Sequence, residues 1–193
     1  MRVHVGTSGF SYKEWKGSFY PADIKPADML RFYAGRFDTV EINNTFYRMP
    51  NGDTLGGWAE QVGEAFQFVL KAPQRITHQK RLAGVDEDVA YFFATAARLG
   101  GRLGPVLFQL PPYMKKDVDR LSALLRQVPE GRRAAFEFRH ASWNDEDVYA
   151  ALRAHNAALC IADTDEEPLE AIRATADWGY LRLRRLDYDA AAS

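Results

Sequence analysis

The chain has 193 residues, 47% of them hydrophobic and 26% charged, a composition that can bury one sizeable core and excludes an intrinsically disordered polypeptide. A formal net charge of -1 and a pI near 6.4 exclude a global electrostatic pull toward nucleic acid or an anionic membrane, and leave room only for a local basic pocket. No apolar run approaches the roughly 20 residues that a membrane span needs and the start Met1-Arg2-Val3-His4 carries no signal-peptide core, so one cytoplasmic domain over 1–193 is expected, with no membrane partner.

Short β-like runs alternate with helix-like stretches along the chain. The runs are Val3-His4-Val5, leading into Gly6-Thr7-Ser8-Gly9, then Thr39 to Asn43, Phe66 to Lys71, Pro105 to Gln109, Ala135 to Arg139, Leu159 to Asp163 and Tyr180 to Arg184. Helices are predicted over 26–36, 54–62, 86–99, 117–127, 145–155 and 168–174, several opening with Asp, Thr or Pro and one closing at Gly100-Gly101. Apolar runs of this length between helices suit buried parallel strands, so the predicted fold is α/β, a TIM-like (β/α) barrel. A closed eight-stranded barrel typically needs about 250 residues, so this one is expected to lack its final strand and flanking helices. The tail from Asp187 to Ser193 reads as the opening of one more helix.

The runs repeatedly end in a polar or ionisable residue, and in a (β/α) barrel the strand C-termini share one mouth. Glu137, Arg139, His140 and Trp143 form the densest chemical cluster. Alternation puts Glu137 and Arg139 on one face, either as a structural ion pair or as an acid/base group beside an anion-binding guanidinium. Glu41 and Asn43 share a face of the second run, with Tyr47 following. Glu41 and Glu137 together form a carboxylate couple of the kind used in glycoside hydrolysis, unless Lys71 or an arginine neutralises Glu41. Lys71 itself suits a counter-ion, a phosphate contact or an imine. Gln109, before Leu110-Pro111-Pro112, reads as a hydrogen-bonding lining residue.

Asp163, with Glu41, Glu137 and His140, offers an oxygen-and-nitrogen donor set for a divalent metal, although no His-x-x-x-His or Cys-x-x-Cys spacing supports it. The glycine turn around Ser8 resembles a phosphate cradle but equally suits a tight βα turn. The aromatics Phe10, Tyr12, Trp15, Phe19 and Tyr20 suit either a stacking wall or packing at the mouth. His78 and His155 read as surface residues, and the lone Cys160 as a small buried hydrophobe.

Taken together, Gly6-Thr7-Ser8-Gly9-Phe10-Ser11-Tyr12 with Trp15, Phe19-Tyr20-Pro21, Glu41-Ile42-Asn43-Asn44-Thr45-Phe46-Tyr47, Lys71, Gly104-Pro105 through Gln109-Leu110-Pro111-Pro112, and Glu137-Phe138-Arg139-His140-Ala141-Ser142-Trp143 resemble the YecE-like family, also called the domain of unknown function 72 family. The resemblance covers nearly the whole chain in order and implies a TIM-like barrel without implying a reaction. Family members normally continue with a further helix, strand and helix. Many read Arg-x-His-Gly in the seventh strand, where this chain has Arg182-Leu183-Arg184-Arg185, so a role for that histidine does not carry over.

The leading functional expectation is an enzyme, of hydrolase, isomerase or lyase type, acting on a small polyhydroxylated or phosphorylated substrate. Glu41 and Glu137 would be its acid/base pair and Arg139 and Lys71 its anion clamps. Asn43, Gln109 and Asp163 would position the substrate, with Ser8, Tyr12, Tyr47, His140, Trp143, Arg182 and Arg184 as further lining. One alternative is a nucleotide or nucleic-acid binding module using Arg139, Arg182, Arg184, Arg185 and the aromatic loop. The other is a scaffold whose strand-end charges neutralise one another. Carboxylates around an open cavity favour catalysis, and carboxylates locked in ion pairs favour the alternatives.

Overall fold

The computed structural model describes residues 2–165 and 172–188. Six of the expected runs form strands: β1 (Thr39–Ile42), β2 (Gln67–Lys71), β3 (Leu103–Gln109), β4 (Ala134–Glu137), β5 (Ala158–Asp163) and β6 (Tyr180–Leu183). They lie side by side in sequence order, each parallel to the next. Parallel neighbours need a crossover connection, and the intervening segments supply helices.

The run at Val3-His4-Val5 is the exception, since it forms no regular strand. Its continuation still tracks β1: the Glu41 amide donates to the Thr7 carbonyl at 3.0 Å and the Gly9 amide to the Glu41 carbonyl at 2.8 Å. Ladder pairing before that point is replaced by side chains, because the Val5 amide donates to Asp38 Oδ1 at 3.0 Å and the Thr7 amide to the Tyr33 hydroxyl at 2.8 Å. The two backbones approach so closely that a Cβ on Gly6 would lie 1.9 Å from the Thr39 carbonyl oxygen, so only glycine fits there. With this seventh track the sheet forms a parallel half-barrel.

The helices are α1 (Met29–Ala34), α2 (Asn44–Tyr47), α3 (Gly52–Glu60), α4 (Asp86–Ala96), α5 (Val118–Leu125) and α6 (Glu146–Ala154). Side-chain caps fix three starts: Asn51 accepts from the Thr54 amide, Asp117 from Arg120 and Asp145 from Asp147. Asp86, Glu87 and Asp88 fill the first turn of α4, where negative charge opposes the helix dipole favourably. The predicted helix over 26–36 is split, a 3-10 turn at Pro26–Asp28 preceding α1. In the predicted helix over 168–174, residues 168–171 lie outside the described residues and 172–174 are not helical; in the tail, 189–193 likewise lie outside them.

Strand alternation divides the sheet into two faces. Leu70, Phe108 and Phe136 point outward into the main apolar core with Leu55, Phe92, Leu99, Leu121 and Leu152. Val69, Leu107, Ala135, Ala158 and Cys160 make a smaller apolar cluster on the other face, so Cys160 is the buried small hydrophobe expected of it. On that inner face the side chains of β6 meet β1, with the Tyr180 hydroxyl donating to Glu41 Oε2 at 2.7 Å and Arg182 Nη2 to Glu41 Oε1 at 2.8 Å. The sheet therefore curls until its first and last strands touch through side chains. No helix among the described residues is long and apolar enough to cross a membrane.

Candidate functional site

Above the inner apolar cluster, the same alternation brings a row of polar side chains to the strand C-termini. In register, Val69 stands beside Glu41, Leu107 beside Lys71, Gln109 beside Glu137 and Cys160 beside Tyr180. Lys71, Glu137 and Arg182 each follow an apolar or aromatic residue two positions earlier on the strand: Val69, Ala135 and Tyr180. Glu41, Gln109, Glu137 and Arg182 are all buried, which makes their partners decisive.

Arg182 is the centre of the row. Its Nε and Nη2 donate to the two oxygens of Glu41 at 3.0 and 2.8 Å, a bidentate fork, while Nη1 donates to Glu137 Oε2 at 2.5 Å. Glu41 also accepts from the Ser8 hydroxyl at 2.9 Å and from Tyr180. The other Glu137 oxygen accepts from Gln109 Nε2 at 2.7 Å and from Arg139 Nε at 3.3 Å. Gln109 then presents its carbonyl oxygen to Lys71 Nζ at 2.7 Å. The result is an unbroken chain from Ser8 through Glu41, Arg182, Glu137 and Gln109 to Lys71.

Charge states follow from these contacts. Burial pushes the Glu137 carboxyl up, but the Arg182 guanidinium, the Gln109 amide and Arg139 together outweigh it and hold it below the ordinary carboxylate range. Burial pulls the Arg182 guanidinium down, yet the two glutamates raise it well above its usual value. Burial also pulls the Lys71 ammonium down, as do Arg182 and Arg139, and Glu137 and Glu41 only partly compensate, leaving it at about 8. Lys71 makes no ion pair among the described residues and sits 4.3 Å above the Phe46 ring.

The remaining expected residues divide between the mouth and other places. Asn43 lies half-buried at the start of α2, its side chain without a hydrogen-bond partner among the described residues. Tyr47, on the same turn, is 74% exposed and packs edge-on against Phe46. Tyr12 donates to the Ser8 carbonyl and rests on Trp15, with ring centroids 4.7 Å apart. Arg139 keeps its two Nη groups without a hydrogen-bond partner among the described residues, its side chain 39% exposed.

His140 and Trp143 serve the loop after β4. His140 Nδ1 accepts from the Ser142 amide, and the fully buried Trp143 donates Nε1 to the Met114 carbonyl and stacks on Phe138 at 4.6 Å. Asp163 pairs in register with Leu183, on the face opposite Cys160 and Arg182, and accepts from Arg185 at 2.7 Å. The metal set of Glu41, Glu137, His140 and Asp163 is therefore not assembled, and no group of three His, Cys, Asp or Glu suited to a metal occurs among the described residues. Arg184 is exposed and bonds through its backbone to Asp163. With Arg182 buried between two glutamates, Arg139 on Glu137 through Nε and Arg185 on Asp163, three of the four arginines expected to track a nucleic acid already pair with a carboxylate.

Three contributors escaped the sequence reading. His78, expected at the surface, stands on the π-helical turn Arg75–Gln79 after β2, edge-on to Phe46 with centroids 4.8 Å apart. Burial and the neighbouring Lys71 and Arg139 lower its pKa. Phe46 supports both His78 and Lys71, and Tyr180 shares Glu41 with Arg182. Tyr180 was signalled by its i, i+2 spacing from Arg182; His78 and Phe46 had only their place in loops that follow strands. Two open surface grooves lie away from the network, one of about 540 Å³ beside Pro21, Lys25 and Phe32 and one of about 460 Å³ beside Val3, Val5 and Asp38, and none of the network side chains lines them.

A family model described as a protein of unknown function, DUF72, matches residues 4–192. The UPF0759 protein YecE of Escherichia coli K12 is 28% identical over 175 residues, covering 89% of this chain and 62% of that protein. The UPF0759 protein YunF of Bacillus subtilis 168 is 29% identical over 156 residues, covering 76% of this chain and 54% of that protein. The chain thus spans less than two thirds of the length of these relatives. The crystal structure of a DUF72 family protein from Thermotoga maritima MSB8 superposes with a TM-score of 0.80 at 33% identity, over 92% of this chain and 72% of that one. One from Enterococcus faecalis V583 shares the fold at 20% identity, with a TM-score of 0.76 over 94% of this chain and 70% of that one. From the match over 4–192 and this shared fold, the chain belongs to the DUF72 family.

Proposed function

We propose that the mouth at the strand C-termini binds a small polyhydroxylated or phosphorylated molecule and acts on it by proton transfer. Arg139 and Lys71 face the ligand, and the Glu41–Arg182–Glu137 triad forms a rigid floor beneath them. The observation that carries this reading is Lys71, half-buried at the end of β2, hydrogen-bonded to one neutral amide and lacking an ion-pair partner among the described residues. Burial and the neighbouring guanidinium of Arg182 lower this lysine to about 8, toward the range that suits proton transfer. The expected carboxylate couple is thereby recast: Glu137 serves as an ionised acceptor that orients Gln109 and Arg139. Glu41 anchors Arg182, so the proton donor is Lys71 and not a second carboxyl. Asn43 and Tyr47 supply an amide and an aromatic edge at the two ends of α2.

We infer further that residues 1–193 belong to a single TIM-like barrel domain, a reading supported by the sequential parallel order of the strands and the likeness to the Thermotoga maritima structure. A non-catalytic scaffold is the second reading, favoured by the complete engagement of the Glu41 and Glu137 carboxylates.

Calorimetric titration with sugar phosphates and their unphosphorylated sugars separates the two. The expected result is binding that prefers the phosphorylated member, weakened about ten-fold or more in Arg139→Ala by loss of the charge-assisted contact, with an unchanged melting temperature. Flat titrations for every member of the panel would leave the scaffold reading in place. Turnover, once a substrate is found, should vanish in Glu137→Gln, measured per folded molecule because the same change weakens the buried ion pair with Arg182.

A further inference from the structure

We propose that the Lys71 amine is a nucleophile that forms an imine with an aldehyde or ketone carbonyl, making carbonyl compounds the substrate class of this site. The inference rests on the mouth being a small-molecule site and goes beyond it in assigning covalent chemistry. A lysine nucleophile needs a neutral amine, a fixed direction and surroundings that do not hold the proton on nitrogen. Lys71 meets these conditions through contacts that each trace to a neighbouring strand or turn.

The direction is fixed by Gln109. Its Nε2 donates to Glu137 Oε1 at 2.7 Å, which orients the amide so that Oε1 faces Lys71 Nζ at 2.7 Å. Glu137 in turn is immobilised by Arg182. One Nζ hydrogen is thus taken by an uncharged acceptor, and Nζ lies over Phe46, 4.3 Å from the ring centroid. Carboxylates, which would stabilise the ammonium, are instead consumed by Arg182: Glu41 in a bidentate fork and Glu137 through Nη1. Contrast Lys80 and Lys116, each in an ion pair at 2.7 Å with a carboxylate, of Asp88 and Asp145 respectively. Burial and the cationic neighbours Arg182 and Arg139 disfavour protonation of Lys71, and the opposing pull of Glu137 and Glu41 compensates only in part.

The step balances without a cofactor. The Nζ lone pair adds to the carbonyl carbon, the C=O π bond opens, and a proton moves from nitrogen to the new alkoxide to give a carbinolamine. Protonation of that hydroxyl then expels water and leaves a C=N bond to Nζ. His78, edge-on to the same Phe46 ring and electrostatically coupled to Lys71, supplies an imidazole to carry that proton. Arg139, with both Nη groups unengaged among the described residues, takes an anionic substituent of the same molecule.

Reductive trapping tests this directly. The purified chain is incubated near pH 7.5 with glycolaldehyde or with dihydroxyacetone phosphate, borohydride is added to convert any imine to a secondary amine, and peptides are mapped by mass. Labelling at Lys71 is expected to exceed that at Lys80 and Lys116 about ten-fold or more, as a lysine of lowered pKa should, and to disappear in Lys71→Arg. Labelling spread evenly over the surface lysines, or absent from Lys71, overturns the proposal. Because glycolaldehyde reports amine reactivity whatever the natural ligand is, that outcome is independent of the titrations above. Sugar-phosphate binding without trapping at Lys71 removes the imine and leaves the binding site standing, whereas trapping at Lys71 with flat titrations keeps the nucleophile and removes the phosphate preference.

Discussion

The two faces of the half-barrel are built from the same strands and obey opposite rules. The outer face is apolar and helix-covered, with Leu70, Phe108 and Phe136 among the fully buried side chains. The inner face begins with small apolar residues, Val69, Ala135 and Cys160, and ends within one strand alternation in a buried arginine between two buried glutamates. Packing holds the first together and tolerates exchange of one hydrocarbon for another. Mutual charge compensation holds the second, so removing any single member exposes the rest to a medium that cannot solvate them. A protein gains little in stability from such an arrangement over a hydrocarbon core of the same volume, so the ionic row is costly to break without being a large net source of folding energy.

The sharpest way to break the comparison is to remove the arginine. Arg182→Met leaves Glu41 and Glu137 buried without their shared cation, and an expected loss of about 3–5 kcal/mol in denaturant unfolding follows. Replacing all three residues with apolar ones should recover most of it. The same experiment has a pH signature. Glu137 is held below the ordinary carboxylate value of 4.5, so its contribution is complete above that value and is lost as pH falls through the lowered one. Wild type should therefore weaken on acidification below that value, and Arg182→Met should lose this component.

On the outer face, Leu70→Ala removes a fully buried side chain from between β2 and the helices. An expected cost of about 2–5 kcal/mol reflects lost transfer energy and a cavity. That cost should be independent of pH between 5 and 9 to a good approximation, and a strong pH dependence would show that the two faces are coupled. The smallest effect has the opposite sign. Lys71 titrates at about 8 in the folded chain against 10.5 for a free lysine side chain, so the unfolded chain binds the proton more tightly and the folded state is penalised below 8. Lys71→Met should accordingly melt higher than wild type at pH 7. The advantage should shrink as pH rises from 8 to 10.5; a variant that melts lower across the whole range would show that the lysine is a structural counter-ion.

The sequence by itself determined the α/β class, the order of the strands and the identity of the groups at their C-termini. Those are local properties: apolar runs of strand length, caps such as Asn51, Asp117 and Asp145, and a polar residue closing most runs. Register on a single strand even foretold that Glu137 and Arg139 would share a face. Which groups meet was decided only by tertiary structure. Arg182 lies 141 residues from Glu41 and 45 from Glu137, and nothing local distinguishes it from the exposed Arg184 two positions on. Curling of the sheet brings β6 across to β1, turns one arginine into the shared cation of two glutamates, and thereby leaves Lys71 without an ion-pair partner among the described residues. The same curling, with period-two alternation, puts Asp163 on the wrong face for the mouth and assigns His140 to a loop cap. Pairing energies between distant charges depend on separation and burial, and both are set by how the chain closes on itself.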